Sequence, residues 1–281
     1  MSQPAIDFDA FRAFEASGWE RRADPYDRFF GPVTDRVAEP LLDAAQIASG
    51  MRVLDLATGP GSVAGRAASR HANVIGIDIA AAMVALASSR HPELTFQVAD
   101  AEHLPFADDT FDAVVGNFIL PHLGQPEHAV AEWARVLISG GMLALSMWGS
   151  PEHNRLLGVV SDAVADVGPD APTGIPAGPP TFQFSPDAAL TGLLESAGFQ
   201  QPVIEKMQFS HPVPDAEQFW NGIVTGSVRT AALFAGQTPD TLSRIRAAFD
   251  RIVSGFAVDS HLEVPVSVKI VSGRKWSGVR P

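Results

Sequence analysis

Between residues 51 and 148, short apolar runs alternate with stretches of helical period, which predicts parallel strands joined by crossover helices. The strand candidates are 52–56, 73–78, 95–99, 113–117 and 142–147, and helix-compatible stretches run at 62–70, 80–90 and 127–138. In the last of these Val130, Trp133, Ala134 and Leu137 recur at i, i+3, i+4 and i+7, giving one apolar face. Gly140-Gly141 is expected to stop that helix and turn into the next strand. Further on, 185–197 reads as a helix closed by Gly198, followed by a strand near 203–209 and a last strand at 264–271. Helical stretches near 215–234 and 239–256 fall between these two strands. Such an insertion, at about 212–258, must pack on something, and ligands lie at the carboxyl edge of a parallel sheet. It is therefore expected to form a substrate cap.

The flanks carry different patterns. The first 50 residues hold an aromatic-rich helix pair with Phe8, Phe11, Phe14, Trp19, Tyr26, Phe29 and Phe30. Such a stripe either packs a core or forms a lid over a ligand. Residues 151–180 contain Pro151, Pro169, Pro172, Pro176, Pro179 and Pro180 among glycines, which is loop chemistry. Long loops in compact domains are either functional or disordered. The expected organisation is a helical lid (1–50), a sheet core (51–150), and a remainder (151–281) with the Pro/Gly-rich loop and the cap. No internal repeat stands out.

The most telling chemistry is V-L-D-L-A-T-G-P-G at 53–61. Asp55 closes one apolar strand, and Gly59 and Gly61 drop the Cβ where the backbone must turn tightly and approach a ligand. Asp78 closes the next strand in V-I-G-I-D, a place from which an acid accepts hydrogen bonds from ribose hydroxyls. A nucleoside-bearing cofactor is implied. Residues 59–64 also satisfy the looser dinucleotide fingerprint G-x-G-x-x-G/A. A dinucleotide site offers a helix N-terminus to pyrophosphate, which a carboxylate such as Asp55 would repel. S-adenosylmethionine (SAM) carries an ammonium and a sulfonium instead, so the charge favours SAM over a nicotinamide dinucleotide.

Here the chain resembles the class I SAM-dependent methyltransferases, over about residues 50–148. The phrase R-V-L-I-S-G-G (135–141) is similar to R-V-L-x-P-G-G of their ubiquinone/menaquinone-biosynthesis-like branch, with Ser139 in place of proline. The resemblance implies a Rossmann-like, doubly wound, mostly parallel seven-stranded sheet with an antiparallel C-terminal edge strand. It implies that Asp55, Ala57, Thr58, Gly59 and Gly61 hold the amino-acid end of SAM, that Asp78 holds the ribose, and that Ile79 lies beside the adenine. Met83 packs nearby or in the core. By the same resemblance Asp100 is expected to accept from the adenine amine, with Ala101 offering a backbone contact, and Asn117 and Phe118 to stand where cofactor meets acceptor. Glu102 is expected at the solvent surface.

The remaining sequence narrows the acceptor. With 20 basic and 32 acidic residues the formal charge is −12, so the positive field that supplies most nucleic-acid affinity is missing. N-F-I-L-P-H (117–122) lacks the N/D-P-P-Y/F signature of nucleobase amine methylation. With no cysteine there is no disulfide, cysteine-ligated zinc or thiol nucleophile. No metal is expected, since Asp112 precedes its strand. The chain start lacks the features of a secretory signal, and no apolar run reaches the ~18–20 residues of a membrane helix. A cytoplasmic enzyme acting on a small, largely apolar molecule is the expectation; oxygen, carbon and nitrogen acceptors stay open. His122, after the fourth strand, is the best general-base candidate, because a histidine can take a proton near neutral pH. Tyr26, Trp148, His153 and Trp220 are candidates for the acceptor pocket. Two other readings remain: a SAM-binding module or regulatory subunit without turnover, and a nicotinamide oxidoreductase.

Overall fold

The computed structural model describes residues 6–169 and 175–278; Pro172 and the first five residues lie outside the described residues. The N-terminal segment forms three helices, α1 (Phe8–Glu20), α2 (Ala23–Phe29) and α3 (Gly31–Ala44), and not the expected pair. The extra boundary falls at Gly31-Pro32, where proline sits in the first turn of α3. A residue without an N–H restarts a helix there at no cost.

Alternation then proceeds as the apolar pattern predicts: β1 (Arg52–Leu56), α4 (Ser62–Ser69), β2 (Asn73–Asp78), α5 (Ala81–Arg90), β3 (Thr95–Val98), β4 (Phe111–Asn117), α6 (Pro126–Val136) and β5 (Leu137–Trp148). After it come α7 (Arg155–Val167), α8 (Asp187–Ser196), β6 (Phe199–Val213), α9 (Ala216–Gly226), α10 (Val228–Ala235), α11 (Pro239–Val253), β7 (Ala257–Val258) and β8 (His261–Lys275). The sheet order is β3-β2-β1-β4-β5-β8-β6, with two-residue β7 beside β8. Strands β1 to β5 pair in parallel, while β8 is antiparallel to both β5 and β6. The expected antiparallel pair thus closes one edge. Its C-terminal member β8 is the inner strand, however, and β6 is the outermost. Strand order reverses between the parallel neighbours β1 and β4, so their carboxyl ends open the crevice where α/β sheets bind ligands.

Alternate residues feed two cores, as a pleated strand requires. Val53, Ala113, Val115 and Ala144 pack with α3, α4, α7 and the insertion helices; Leu54, Leu56, Val114 and Leu143 pack with α6 and α8. Trp133 of α6 is fully buried, and its Nε1 donates to the Ala101 carbonyl at 2.8 Å. That bond fixes the loop after β3.

Two expectations need correction. Residues 151–180 are not a continuous loop, because α7 occupies 155–167. The prolines bracket it and none lies inside, while Leu156, Val159, Val160 and Ala163 supply a buried helical stripe. Gly140-Gly141 does not turn helix into strand either. Leu137 pairs with Phe111 and Met142 with Ala113, so residues 138–141 bulge out opposite Asp112. Gly140 supports that bulge with φ +78°, a conformation other residues adopt only under strain.

Candidate active site

The turn after β1 is held from below. Asp55, 1% exposed, accepts from the Thr58 hydroxyl at 2.6 Å and from the Ala64 N–H, in the first turn of α4, at 3.1 Å. Burial pushes its carboxyl up to about 7, against those two hydrogen bonds and with help from the nearby charge of Asp78. Its Oδ1 is buried without a partner. Asp55 therefore anchors the turn and does not wall the cavity, which corrects the expectation that its carboxylate faces the ligand. Thr58 is likewise consumed in the anchor.

The two glycines have separate jobs. Gly59 (φ +53°) lines the cavity, and a Cβ there would meet only the Ala57 carbonyl at 3.9 Å. Gly61 (φ +88°) faces the other way: a Cβ would sit 3.0 Å from His91 and 3.2 Å from Ala87 of α5. It is a packing glycine at the N-cap of α4.

At the end of β2, Asp78 is 7% exposed and lines the cavity. Its Oδ2 accepts from the Gly59 N–H and its Oδ1 from the Ala80 N–H, both at 3.0 Å. Each oxygen keeps a second lone pair for a ligand. Burial raises this carboxyl to about 6, opposed by the two backbone bonds. Ile79 and Met83 add apolar wall, and Met83 is also 3% exposed within a small cluster with Ala23 and Ala80. Both readings of Met83 thus apply.

Beyond β3, Asp100 accepts from the Glu102 N–H at 2.8 Å, and Arg12 of α1 pairs with it at 3.4 Å. Glu102 was expected in solvent and is instead 3% exposed, accepting from the Gly124 and Gln125 N–H groups at 2.7 and 2.9 Å. Those two bonds, made to a segment distant in sequence, compensate its burial.

Past β4 the polar groups converge. Asn117 accepts from the Ser146 hydroxyl at 2.6 Å and donates to the Thr34 carbonyl at 3.1 Å. The Phe118 N–H donates to Ser146 Oγ at 2.9 Å, which supports its left-handed backbone, φ +60°. That turn lays the Phe118 ring on Trp148, centroids 3.8 Å apart. His122 Nδ1 lies 3.0 Å from Glu15 Oε2, and the Trp19 ring stands edge-on to the imidazole. Glu15, 2% exposed, also accepts from Trp19 Nε1 at 3.0 Å and from Arg229 Nε at 3.1 Å.

These groups surround one cavity of about 820 Å³. Among the expected residues it is lined by Tyr26, Ala57, Gly59, Asp78, Ile79, Met83, Asp100, Ala101, Asn117, Phe118, His122 and Trp148. His153 is outside, bonded to Ser150 Oγ at 3.0 Å. Trp220 is outside as well, stacked on Phe234 within the insertion at 5.0 Å. Position after a strand, or within a cap, does not fix which way a side chain faces. Five of the N-terminal aromatics (Phe11, Phe14, Trp19, Tyr26 and Phe30) reach the cavity, whereas Phe29 packs on Phe219. Sequence reasoning missed Arg12, Glu15 and Arg229. The available signal was Glu15 itself, an acid on the buried face of α1 with Phe11 and Gly18. Among the described residues no His/Asp/Glu cluster could hold a metal ion, and no helix is long and apolar enough to cross a membrane.

Residues 54–145 match the family described as a methyltransferase domain. A demethylmenaquinone methyltransferase of Renibacterium salmoninarum is 36% identical over 118 residues, covering 42% of this chain and 50% of the relative. The chain spans about half the length of such curated relatives. The fold is shared with the YcgJ protein of Bacillus subtilis (TM-score 0.58, 20% identity, 86% of this chain and 99% of that one). It is also shared with the Haemonchus contortus phosphoethanolamine N-methyltransferase 2 in complex with S-adenosyl-L-methionine (TM-score 0.59, 19% identity, 95% and 60%).

Proposed function

We propose, from the class I, SAM-dependent methyltransferase domain that residues 54–145 form, that this chain transfers the methyl group of SAM to a small, largely apolar acceptor. The observation that carries the reading is one cavity whose lining combines two unlike sets of residues. One is Asp78 with spare lone pairs, the open backbone at Gly59, and apolar Ile79 and Met83, a set that fits a ribose and a purine. The other is Trp148, Leu157, Val160, Val164, Phe182 and Leu233. Asn117, Phe118 and His122 line the same cavity, with Phe118 stacked on Trp148.

SAM supplies an electrophilic methyl on a good leaving group, so the protein's main contribution is alignment, which is worth several kcal/mol. The Phe118–Trp148 stack gives a flat apolar wall against which an acceptor can lie. His122 takes the proton of an acceptor that must lose one. The N-terminal helices act as a lid, and α10 of the insertion, through Arg229, acts as a cap on the acceptor end.

Calorimetry with SAM, S-adenosylhomocysteine and NADH tests the cofactor, and release of S-adenosylhomocysteine over a panel of apolar oxygen, carbon and nitrogen acceptors tests turnover. Stoichiometric SAM binding without NADH binding, plus turnover on at least one acceptor, is expected. NADH binding in place of SAM would overturn the reading. SAM binding with no turnover on oxygen, carbon or nitrogen acceptors would leave a binding module instead.

A further inference from the structure

The carboxylate of Glu15 comes from α1, far in sequence from the histidine it contacts, and it is almost completely buried. Three donors meet it: Trp19 and His122 on Oε2, Arg229 on Oε1. Burial alone would raise this carboxyl, but the charges and hydrogen bonds of His122 and Arg229 outweigh it, and Glu15 is held below the usual glutamate range. It is therefore ionised at neutral pH. An ionised carboxylate only accepts hydrogen bonds, so the ring nitrogen facing it must carry the proton. In the neutral form of the ring, His122 Nε2, with no hydrogen bond to a described residue, is then the bare nitrogen, on a ring that lines the cavity.

Four of the five Arg229 N–H groups are already taken. Its Nε is on Glu15, its Nη1 on the Pro179 carbonyl at 2.7 Å and on Thr181, and its Nη2 on the Pro121 carbonyl at 2.5 Å. Its charge offsets that of Glu15, and the two sit behind the imidazole as a neutral pair. Asp78 lies close enough to His122 to interact with it electrostatically.

We propose that Glu15 is a positioning residue that locks His122 as the Nδ1–H tautomer, leaving Nε2 to take the proton of an acceptor hydroxyl. The proposal rests on the methyltransferase reading and deepens it, since it names the acceptor group. In the step it serves, the hydroxyl proton passes to Nε2 and the oxygen bonds to the methyl carbon. The carbon–sulfur bond breaks with its electron pair left on sulfur, giving the methyl ether and S-adenosylhomocysteine. A glutamine at position 15 cannot satisfy both sides. With its oxygen toward Arg229, its amide NH2 faces His122 and selects the opposite tautomer.

The test is nitrogen NMR of the full chain labelled with ¹⁵N-histidine, with S-adenosylhomocysteine added and the His122 signals assigned by their loss in His122→Gln. A pyrrole-type Nδ1 and a pyridine-type Nε2 are expected, in a tautomer bias of roughly 10–100-fold from a charge-assisted bond. In Glu15→Gln that bias should collapse or invert. An Nε2–H tautomer in the wild-type protein would overturn the proposal, and so would an unchanged pattern in a folded Glu15→Gln. If the variant does not fold, the wild-type spectrum decides. The result is independent of the methyltransferase reading: failure of S-adenosylhomocysteine to bind, measured in parallel by calorimetry, would remove that reading and leave the tautomer assignment standing. With an acceptor in hand, Glu15→Gln should lower kcat by roughly 10–1,000-fold with KM for SAM changed less than about threefold.

Discussion

Changing Asp78 to asparagine separates charge from shape at the ribose end. The carboxylate accepts one backbone N–H on each oxygen, from Gly59 and Ala80 at 3.0 Å, and has lone pairs left for ligand hydroxyls. Asparagine has one oxygen. Whichever way the amide turns, one backbone donor faces an NH2 and the ligand loses an acceptor. Leaving such a group unpaired costs about 1–3 kcal/mol, so the Kd for SAM should rise by roughly 5–150-fold. The unliganded protein should respond differently. Burial raises Asp78 from 3.8 to about 6, which at 1.36 kcal/mol per pH unit puts the cost of ionising it at neutral pH near ~3 kcal/mol. Asparagine escapes that cost, which offsets its lost hydrogen bond. Calorimetry at neutral pH should therefore show weaker binding of SAM and S-adenosylhomocysteine, while the unliganded melting temperature holds or rises. A Kd within twofold of wild type, in a folded variant, would refute the assignment of Asp78 to the ligand.

Further expectations follow from the same geometry. Gly59→Ala should weaken SAM binding, because its Cβ would enter open cavity, and cost about 1 kcal/mol of stability through its φ alone; Gly61→Ala should cost more, up to about 3 kcal/mol, through its clash with α5 added to its φ, and leave SAM binding less affected. Paired titrations and melts would show the opposite pattern if the roles are reversed. Asp55 and Asp78 both have raised values in the fold, about 7 and about 6, so their contribution favours the folded state below pH 4 and is lost as pH rises through 6 and 7. Melting of the unliganded protein from pH 5 to 7.5 should therefore fall more steeply in wild type than in the Asp55→Asn/Asp78→Asn double variant, and parallel slopes would count against this. His122→Ala should keep SAM affinity within about threefold and lower turnover by about 10²–10⁴; a loss under about threefold would leave alignment as the whole mechanism.

What the sequence could show was local. Apolar runs ending in Asp55, Asp78 and Asn117 identified β1, β2 and β4, because a buried parallel strand needs an unbroken apolar stretch and its carboxyl end is where polar groups gather. The helix Arg155–Val167 was hidden by its neighbours: prolines on both sides drew the whole segment into a loop, although Leu156, Val159, Val160 and Ala163 carried a clear helical stripe. Side-chain direction was harder still. Asp55 closes a strand as a ligand acid should, yet it points beneath the turn, and His153 and Trp220 turn away from the cavity that Trp148 faces. The Glu15–His122–Arg229 contact was out of reach, since no local pattern links a helix near the N-terminus to a loop after β4 and a helix of the insertion. An acid amid apolar residues gave only half of that contact.

Where the cofactor product sits decides the proposed function, so the decisive measurement is a crystal structure of the protein with S-adenosylhomocysteine. The ribose hydroxyls should bond to Asp78, the adenine should lie beside Ile79 with its amine near Asp100, and the sulfur should point toward Asn117, Phe118 and the Nε2 face of His122. The acceptor end, between Trp148 and Val160, should remain clear of the ligand. Density for the nucleoside anywhere else, or in this cavity with its sulfur turned away from Phe118 and His122, would contradict the proposed function.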